Sequence, residues 1–82
     1  MFSIEFSDES KKFIKKLDKK TSEEILNKIY SIKNDPFRYL KRLQGEKLWR
    51  LRIGDYRAIV DVIISGNKIV VVRIGKRCNV YN

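Results

Sequence analysis

The sequence lacks residue types on which many common protein functions depend. It contains no histidine and a single cysteine, Cys78. Histidine is the usual acid or base near neutral pH and a frequent zinc ligand, so its absence argues against a zinc site and against histidine-based catalysis. One cysteine cannot form an intrachain disulfide, and nothing else in the sequence indicates an oxidising compartment.

Long apolar runs are also missing. No stretch approaches the roughly 20 apolar residues that span a bilayer. The segment Met1–Glu5 lacks a basic region followed by an apolar run, so we expect no signal peptide. A chain of 82 residues has a small core and little room for a cofactor-sized cavity. We therefore expect a cytoplasmic protein with no segment that enters the membrane, no metal and no small-molecule cofactor.

Acidic residues are few relative to basic ones. Ten Asp and Glu stand against 19 Lys and Arg, which gives a formal net charge of +9 and a pI near 9.9. Such a charge predicts an anionic partner, which could be nucleic acid, an acidic protein or a membrane surface. From Pro36 onward the excess is largest, and arginine, the better residue for bidentate phosphate contacts, outnumbers lysine there.

The first 35 residues predict one strand and two amphipathic helices. Apolar and polar residues alternate over Phe2–Phe6, which indicates a strand with one buried face. Ser7 precedes two acidic residues and is typical of a helix N-cap. Thr21 and Glu24 match the capping box of a second helix, which we expect to end at Asp35–Pro36. The two helices should form an antiparallel hairpin.

The remaining residues predict a loop and three further strands. We expect Phe37–Lys47 to be a loop. Three runs of high β propensity follow, Leu48–Ile53, Tyr56–Ile64 and Lys68–Ile74, and the short turns between them predict an antiparallel meander. The order is therefore β-α-α-β-β-β. We predict an α+β fold in which an antiparallel sheet carries the N-terminal helical hairpin on one face.

Arginines alternate with apolar residues around the first turn of this meander. The apolar positions 49, 51 and 53 must cover the core, so Arg50 and Arg52 project from the other face. Arg57 joins them if the next strand pairs across the turn at Gly54–Asp55. Such a face can bind phosphate groups, although arginines on a sheet also serve solubility and prevent edge pairing.

The segment Leu48–Val60 resembles the central signature of the RelE/ParE toxin superfamily, in which an aromatic-basic-apolar-basic strand turns into a strand carrying Tyr-Arg. The tail Ile74–Tyr81 resembles the C-terminal ending of RelE-type members, and Asp35–Pro36 and Leu43–Gly45 also fit the family pattern. The resemblance covers nearly the whole chain. It implies one RelE-like toxin domain over residues 1–82, with a fold like that of microbial ribonucleases.

The same resemblance implies a toxin of a type II toxin–antitoxin system that cleaves messenger RNA in the ribosomal A site without a metal ion. A ribose 2′-hydroxyl would attack the neighbouring phosphate and leave a cyclic phosphate and a free 5′-hydroxyl. By position, Arg57 would stabilise the transition state, Arg77 would act at the leaving oxygen and Tyr81 would orient the target nucleotide. The candidates for binding RNA or phosphate are the basic residues Lys47, Arg50, Arg52, Arg73 and Lys76.

Arginine stands at positions 50 and 52, where the best-known members carry lysine. Because arginine does not lose its proton in proteins, we expect Arg50 and Arg52 to hold phosphates rather than to act as a general base. The base is then Tyr81, a ribosomal RNA group, or no discrete group at all.

Two other functions fit the sequence: a ParE-like toxin that poisons DNA gyrase, and a catalytically weak RNA-binding homologue. All family versions imply a cognate acidic antitoxin as partner, and the nuclease adds the ribosome and messenger RNA.

Overall fold

The computed structural model of the protein describes residues 1–76, which form a five-stranded sheet and three helices. The strands are β1 (Ser3–Phe6), β2 (Lys41–Arg42), β3 (Trp49–Ile53), β4 (Tyr56–Ile63) and β5 (Lys68–Lys76). The helices are α1 (Asp8–Lys15), α2 (Lys19–Ser31) and α3 (Pro36–Tyr39). None of the helices in this part of the chain has the length and apolar character needed to cross a bilayer.

The sheet has the order β1-β5-β4-β3-β2 and confirms the α+β prediction. Strands β3, β4 and β5 form the expected antiparallel meander, but β1 pairs with β5 in parallel, so the sheet is mixed. Short turns dictate antiparallel pairing only for neighbours in sequence. The helices separate β1 from the meander, so its direction depends on how α1 packs back onto β5.

Helix α1 begins as predicted, whereas α2 begins earlier than predicted. The Ser7 side chain caps α1 by accepting from the Ser10 amide. For α2 the predicted cap, Thr21, is wrong: Asp18 is the N-cap, and its carboxylate accepts from the Thr21 amide at 3.2 Å. A hydrogen bond from the Thr21 side chain, together with this one from the amide, lowers the pKa of Asp18 below its ordinary value of 3.8. Asp and Thr are both good caps, and the earlier one adds a helical turn.

The segment predicted as a loop contains two short elements. Pro36 does not only follow the end of α2; it is the first residue of α3, where a missing amide hydrogen costs nothing. After the buried Leu40, the two residues of β2 pair with Trp49 and Arg50. Neither element is long enough to show a period in sequence. Together they bring residues 39–41 to the edge of β3.

The core lies between the helices and one face of the sheet. Helix α2 contributes Ile25 and Ile29, which are at most 1% exposed, and Ile32 follows at its C-terminal end. The sheet contributes residues from the three long strands, namely Leu51, Ile53, Ala58, Val60, Ile69, Val71 and Ile74. The opposite face of the sheet is therefore free to carry charge.

An irregularity in β5 changes which residues of that strand face the core. Val60 pairs with Val71 but Ile59 pairs with Arg73, so Val72 is an extra residue. Strict alternation would have put residues 69, 71 and 73 on one face, but the core residue after Val71 is Ile74. The Ser7 amide donates to the Val71 carbonyl at 2.9 Å, and the buried Ser10 hydroxyl lies 3.1 Å from the same oxygen. These contacts hold the start of α1 against the bulge.

Candidate nucleic-acid interface

The hairpin formed by β3 and β4 places basic residues together on the face of the sheet away from the helices. Arg52 lies directly opposite Arg57, and Arg50 lies opposite Ile59. On the other side of β3, Lys41 of β2 pairs with Arg50. Paired residues in adjacent strands project to the same face, so the sharing of one face by the three arginines is as the alternation predicted.

A small pocket lies among these side chains. It has a volume of about 100 Å³ and is lined by Tyr39, Lys41, Arg50, Arg52 and Arg57. We call it the arginine pocket. Within residues 1–76, four of the five lining residues are cationic and none is acidic, so their positive charge concentrates on one small space. The planar guanidinium group of arginine donates several hydrogen bonds to phosphate oxygens. This lining therefore suits an anion with oxygen acceptors.

The pocket is supported by the face beneath it. Arg50 and Arg57 are half-buried, whereas Arg52 and Lys41 are exposed. Ile59 lies between Arg50 and Arg73 across three strands and is only 1% exposed, although it is outside the core cluster. Ile59 is thus shielded from solvent on the face that carries the arginines, and the apolar stems of arginines commonly shield such residues. Partial burial limits the number of conformations that Arg50 and Arg57 can adopt.

One aromatic residue of α3, Tyr39, lines the pocket, which sequence reasoning did not anticipate. Tyr39 is 44% exposed, with Lys28 Nζ at 5.1 Å and Arg38 Cζ at 5.8 Å from the centroid of its ring. Phe37 packs instead on Trp49, with ring centroids 5.0 Å apart. Tyr39 and Lys41 fell in the predicted loop, and no local pattern pointed to their position.

The other residues proposed from the sequence lie elsewhere. Lys47 is in the loop between β2 and β3, where it lines a shallow depression with residues 42–46. Arg73 and Lys76 line a groove of about 500 Å³ beside α1, and neither lines the arginine pocket. Arg77 and Tyr81 lie outside the described residues. The roles of all these residues remain predictions.

Comparison with known proteins gives a family match and several structural matches. Residues 4–81 match the family model described as ParE toxin of type II toxin-antitoxin system, parDE. No curated protein shows a significant sequence match. A chain of a RelBE toxin–antitoxin complex from Mycobacterium tuberculosis is 19% identical, with a TM-score of 0.85, 93% of this chain covered and 98% of that chain.

Two further structures are similar over most of their length. A chain of the archaeal RelE–RelB complex from Pyrococcus horikoshii is 21% identical with a TM-score of 0.80, and the match covers 95% of this chain and 97% of that one. The isolated E. coli RelE toxin is 22% identical with a TM-score of 0.78, and the match covers 99% and 92%. At these identities the likeness shows a shared fold.

Proposed function

This chain belongs to the RelE/ParE superfamily of toxins of type II toxin–antitoxin systems, and we propose that it acts as a ribosome-dependent endoribonuclease. Its substrate is messenger RNA in the ribosomal A site, and the consequence of cleavage is arrest of translation. The description of the family model names a ParE toxin, whereas the matching solved structures contain RelE toxins. The choice between gyrase and messenger RNA as the target therefore depends on the chemistry of the site.

The arginine pocket is the observation that carries this proposal. A gyrase poison needs only a surface for a protein, but a nuclease must hold a phosphodiester and stabilise the extra negative charge of its transition state. Three arginines and a lysine around one small pocket supply that environment. Electrostatic stabilisation by groups held in position is often the main source of an enzyme's rate enhancement.

The proposed reaction is an internal transesterification. The 2′-oxygen forms a bond to the adjacent phosphorus, the bond from phosphorus to the 5′-oxygen breaks, and a 2′,3′-cyclic phosphate and a 5′-hydroxyl result. The 2′-hydroxyl loses its proton and the leaving 5′-oxygen gains one. Arg57 stabilises the negative charge on the phosphoryl oxygens, while Arg77 acts at the leaving oxygen and Tyr81 orients the nucleotide, both by resemblance.

The pocket residues act by charge and position rather than as proton acceptors. Guanidinium groups keep their proton in proteins, so Arg50, Arg52 and Arg57 clamp the phosphate. Holding the 2′-oxygen in line with the scissile bond can account for much of a rate enhancement. A site of this kind works slowly on free RNA and faster where the ribosome fixes the RNA conformation.

We further propose an acidic antitoxin as the neutralising partner. The net charge of +9 favours association with a protein of opposite charge. The structures from M. tuberculosis and P. horikoshii are complexes of a toxin with its antitoxin.

A cell-free translation assay tests the nuclease. Purified protein is added to translation of a defined message, and new 5′ ends are mapped by primer extension with and without ribosomes. We expect cuts that require ribosomes and that Arg57→Ala reduces by at least about a hundredfold, the order seen when one transition-state hydrogen-bond donor is removed.

The matched control is Arg42→Ala. Arg42 has the same charge and lies in the neighbouring strand β2, but its guanidinium lies 5.3 Å from the Trp49 ring centroid and it does not line the arginine pocket. Cleavage should persist in this variant. Intact messages with the wild-type protein would refute the nuclease, and inhibition of DNA supercoiling in the same preparation would then identify a gyrase poison.

A further inference from the structure

The arginine pocket is too small to hold a nucleotide. Its volume is about 100 Å³. Pockets that enclose whole small-molecule ligands are typically about 300–1,000 Å³. The pocket therefore has room for a phosphate group, while the attached sugar and base must lie on the surface around it.

Tyr39 is the one aromatic among the described residues that line the pocket. It is the last residue of α3, between Pro36, which is buried, and Leu40, which is 6% exposed. The Leu40 amide donates to the Pro36 carbonyl at 3.0 Å and closes this turn. Buried residues thus fix the backbone on either side of a residue that itself remains 44% exposed.

The charges around this ring favour an RNA base. Lys28 of α2 and Arg38 of α3 both lie within 6 Å of the ring centroid, as cation–π partners do. They restrict the ring's movement and extend the positive charge beyond the pocket. Proteins hold unstacked RNA bases on aromatic rings that lie beside cationic groups for the backbone.

We propose that Tyr39 is a substrate-binding residue whose ring stacks on the base attached to the phosphate held in the arginine pocket. The inference rests on the proposed function in that the ligand is RNA, but it concerns binding and does not require cleavage. It adds a base contact on α3 to the phosphate contacts of β2, β3 and β4. The contact depends on the ring and not on the hydroxyl group.

Binding of two short oligonucleotides tests this role. One is an RNA trinucleotide with 2′-O-methyl groups, which the protein cannot cleave by transesterification; the other has the same backbone without its bases. We expect Tyr39→Ala to weaken binding of the trinucleotide by about tenfold, within the range for loss of one base–aromatic stack. The same change should leave binding of the abasic chain within about twofold, since both probes carry the same phosphates.

Two variants serve as controls. Tyr39→Phe keeps the ring and should bind the trinucleotide like the wild type. Tyr30→Ala removes an aromatic residue of matched exposure, 45%, that packs near Phe6 and does not line the pocket, and it should also bind normally. Circular dichroism confirms that each variant is folded.

The proposal is overturned if Tyr39→Ala binds both probes like the wild type, if it weakens both equally, or if Tyr39→Phe loses as much affinity as Tyr39→Ala. Failure of the nuclease is a separate result. A protein that binds the trinucleotide through Tyr39 but never cuts messages keeps this inference and loses the proposed function.

Discussion

Replacing Arg52 by Gln should stabilise the fold and weaken binding of RNA at the same time. Arg52 and Arg57 lie directly opposite each other in the antiparallel pair of β3 and β4. Like charges in this arrangement are destabilising, and cross-strand pairs contribute roughly 0.2–1 kcal/mol. At a separation of about 6 Å in water, Coulomb's law gives about 0.7 kcal/mol of repulsion, which agrees with that range.

We therefore expect Arg52→Gln to raise the free energy of unfolding by about 0.5 kcal/mol. For a chain of this length that corresponds to an increase in Tm of roughly 2–4 °C. Thermal and urea unfolding measured at low salt would detect it. In about 1 M salt the Debye length falls to about 3 Å, so the difference between variant and wild type should disappear.

RNA binding should change in the opposite direction. Each phosphate contact with a single strand contributes about 0.7 to the slope of log affinity against log salt concentration. Loss of one cation from the arginine pocket should lower the magnitude of the slope by about that amount.

The control for net charge is Lys12→Gln. Lys12 is exposed on α1, with Asp8 four residues before it and Lys16 four after, so its favourable and unfavourable pairs offset each other. It should show neither the stabilisation nor the change of slope. A destabilised Arg52→Gln, a stabilisation that persists in high salt, or an unchanged slope would refute the reasoning.

Two further predictions concern the helix starts that hold the fold. Ser10→Ala should cost about 1 kcal/mol of unfolding free energy, the order of one hydrogen bond, because the Val71 carbonyl keeps the Ser7 amide as a donor; a loss above about 3 kcal/mol in urea unfolding would contradict this. Asp18 has a pKa lowered by the side chain and amide of Thr21, so its contribution to stability is present above pH 3.8 and is lost as the pH falls through the lower folded pKa. Asp18→Asn keeps a capping side chain without the titration, and its urea midpoint should decline less than the wild type's over that range; equal declines would argue against the cap.

Much of the fold could be predicted because its signals are local. The alternation over Phe2–Phe6, the cap at Ser7 and the short turn at Gly54–Asp55 each depend on a few neighbouring residues. The predicted start of α2 was wrong because two nearby residues are both acceptable N-caps. Asp18 and Thr21 can each cap α2, and the structure uses Asp18.

The bulge at Val72 is a feature that alternation along a strand does not predict. Strict alternation would put Arg73 on the same face as Ile69 and Val71, but the bulge shifts the pattern so that Ile74 enters the core. The groups that hold the bulge, Ser7 and Ser10, lie more than sixty residues away in sequence. No pattern within β5 could reveal them.

The sequence by itself determined that Arg50, Arg52 and Arg57 share one face, because side chains alternate along any strand and a two-residue turn leaves one register for the hairpin. Only the tertiary structure decided that Lys41 and Tyr39 complete a pocket with them. Their positions depend on how Pro36 and Leu40 are buried at the edge of the sheet. Burial at such an edge depends on contacts between distant parts of the chain, which carry no period in sequence.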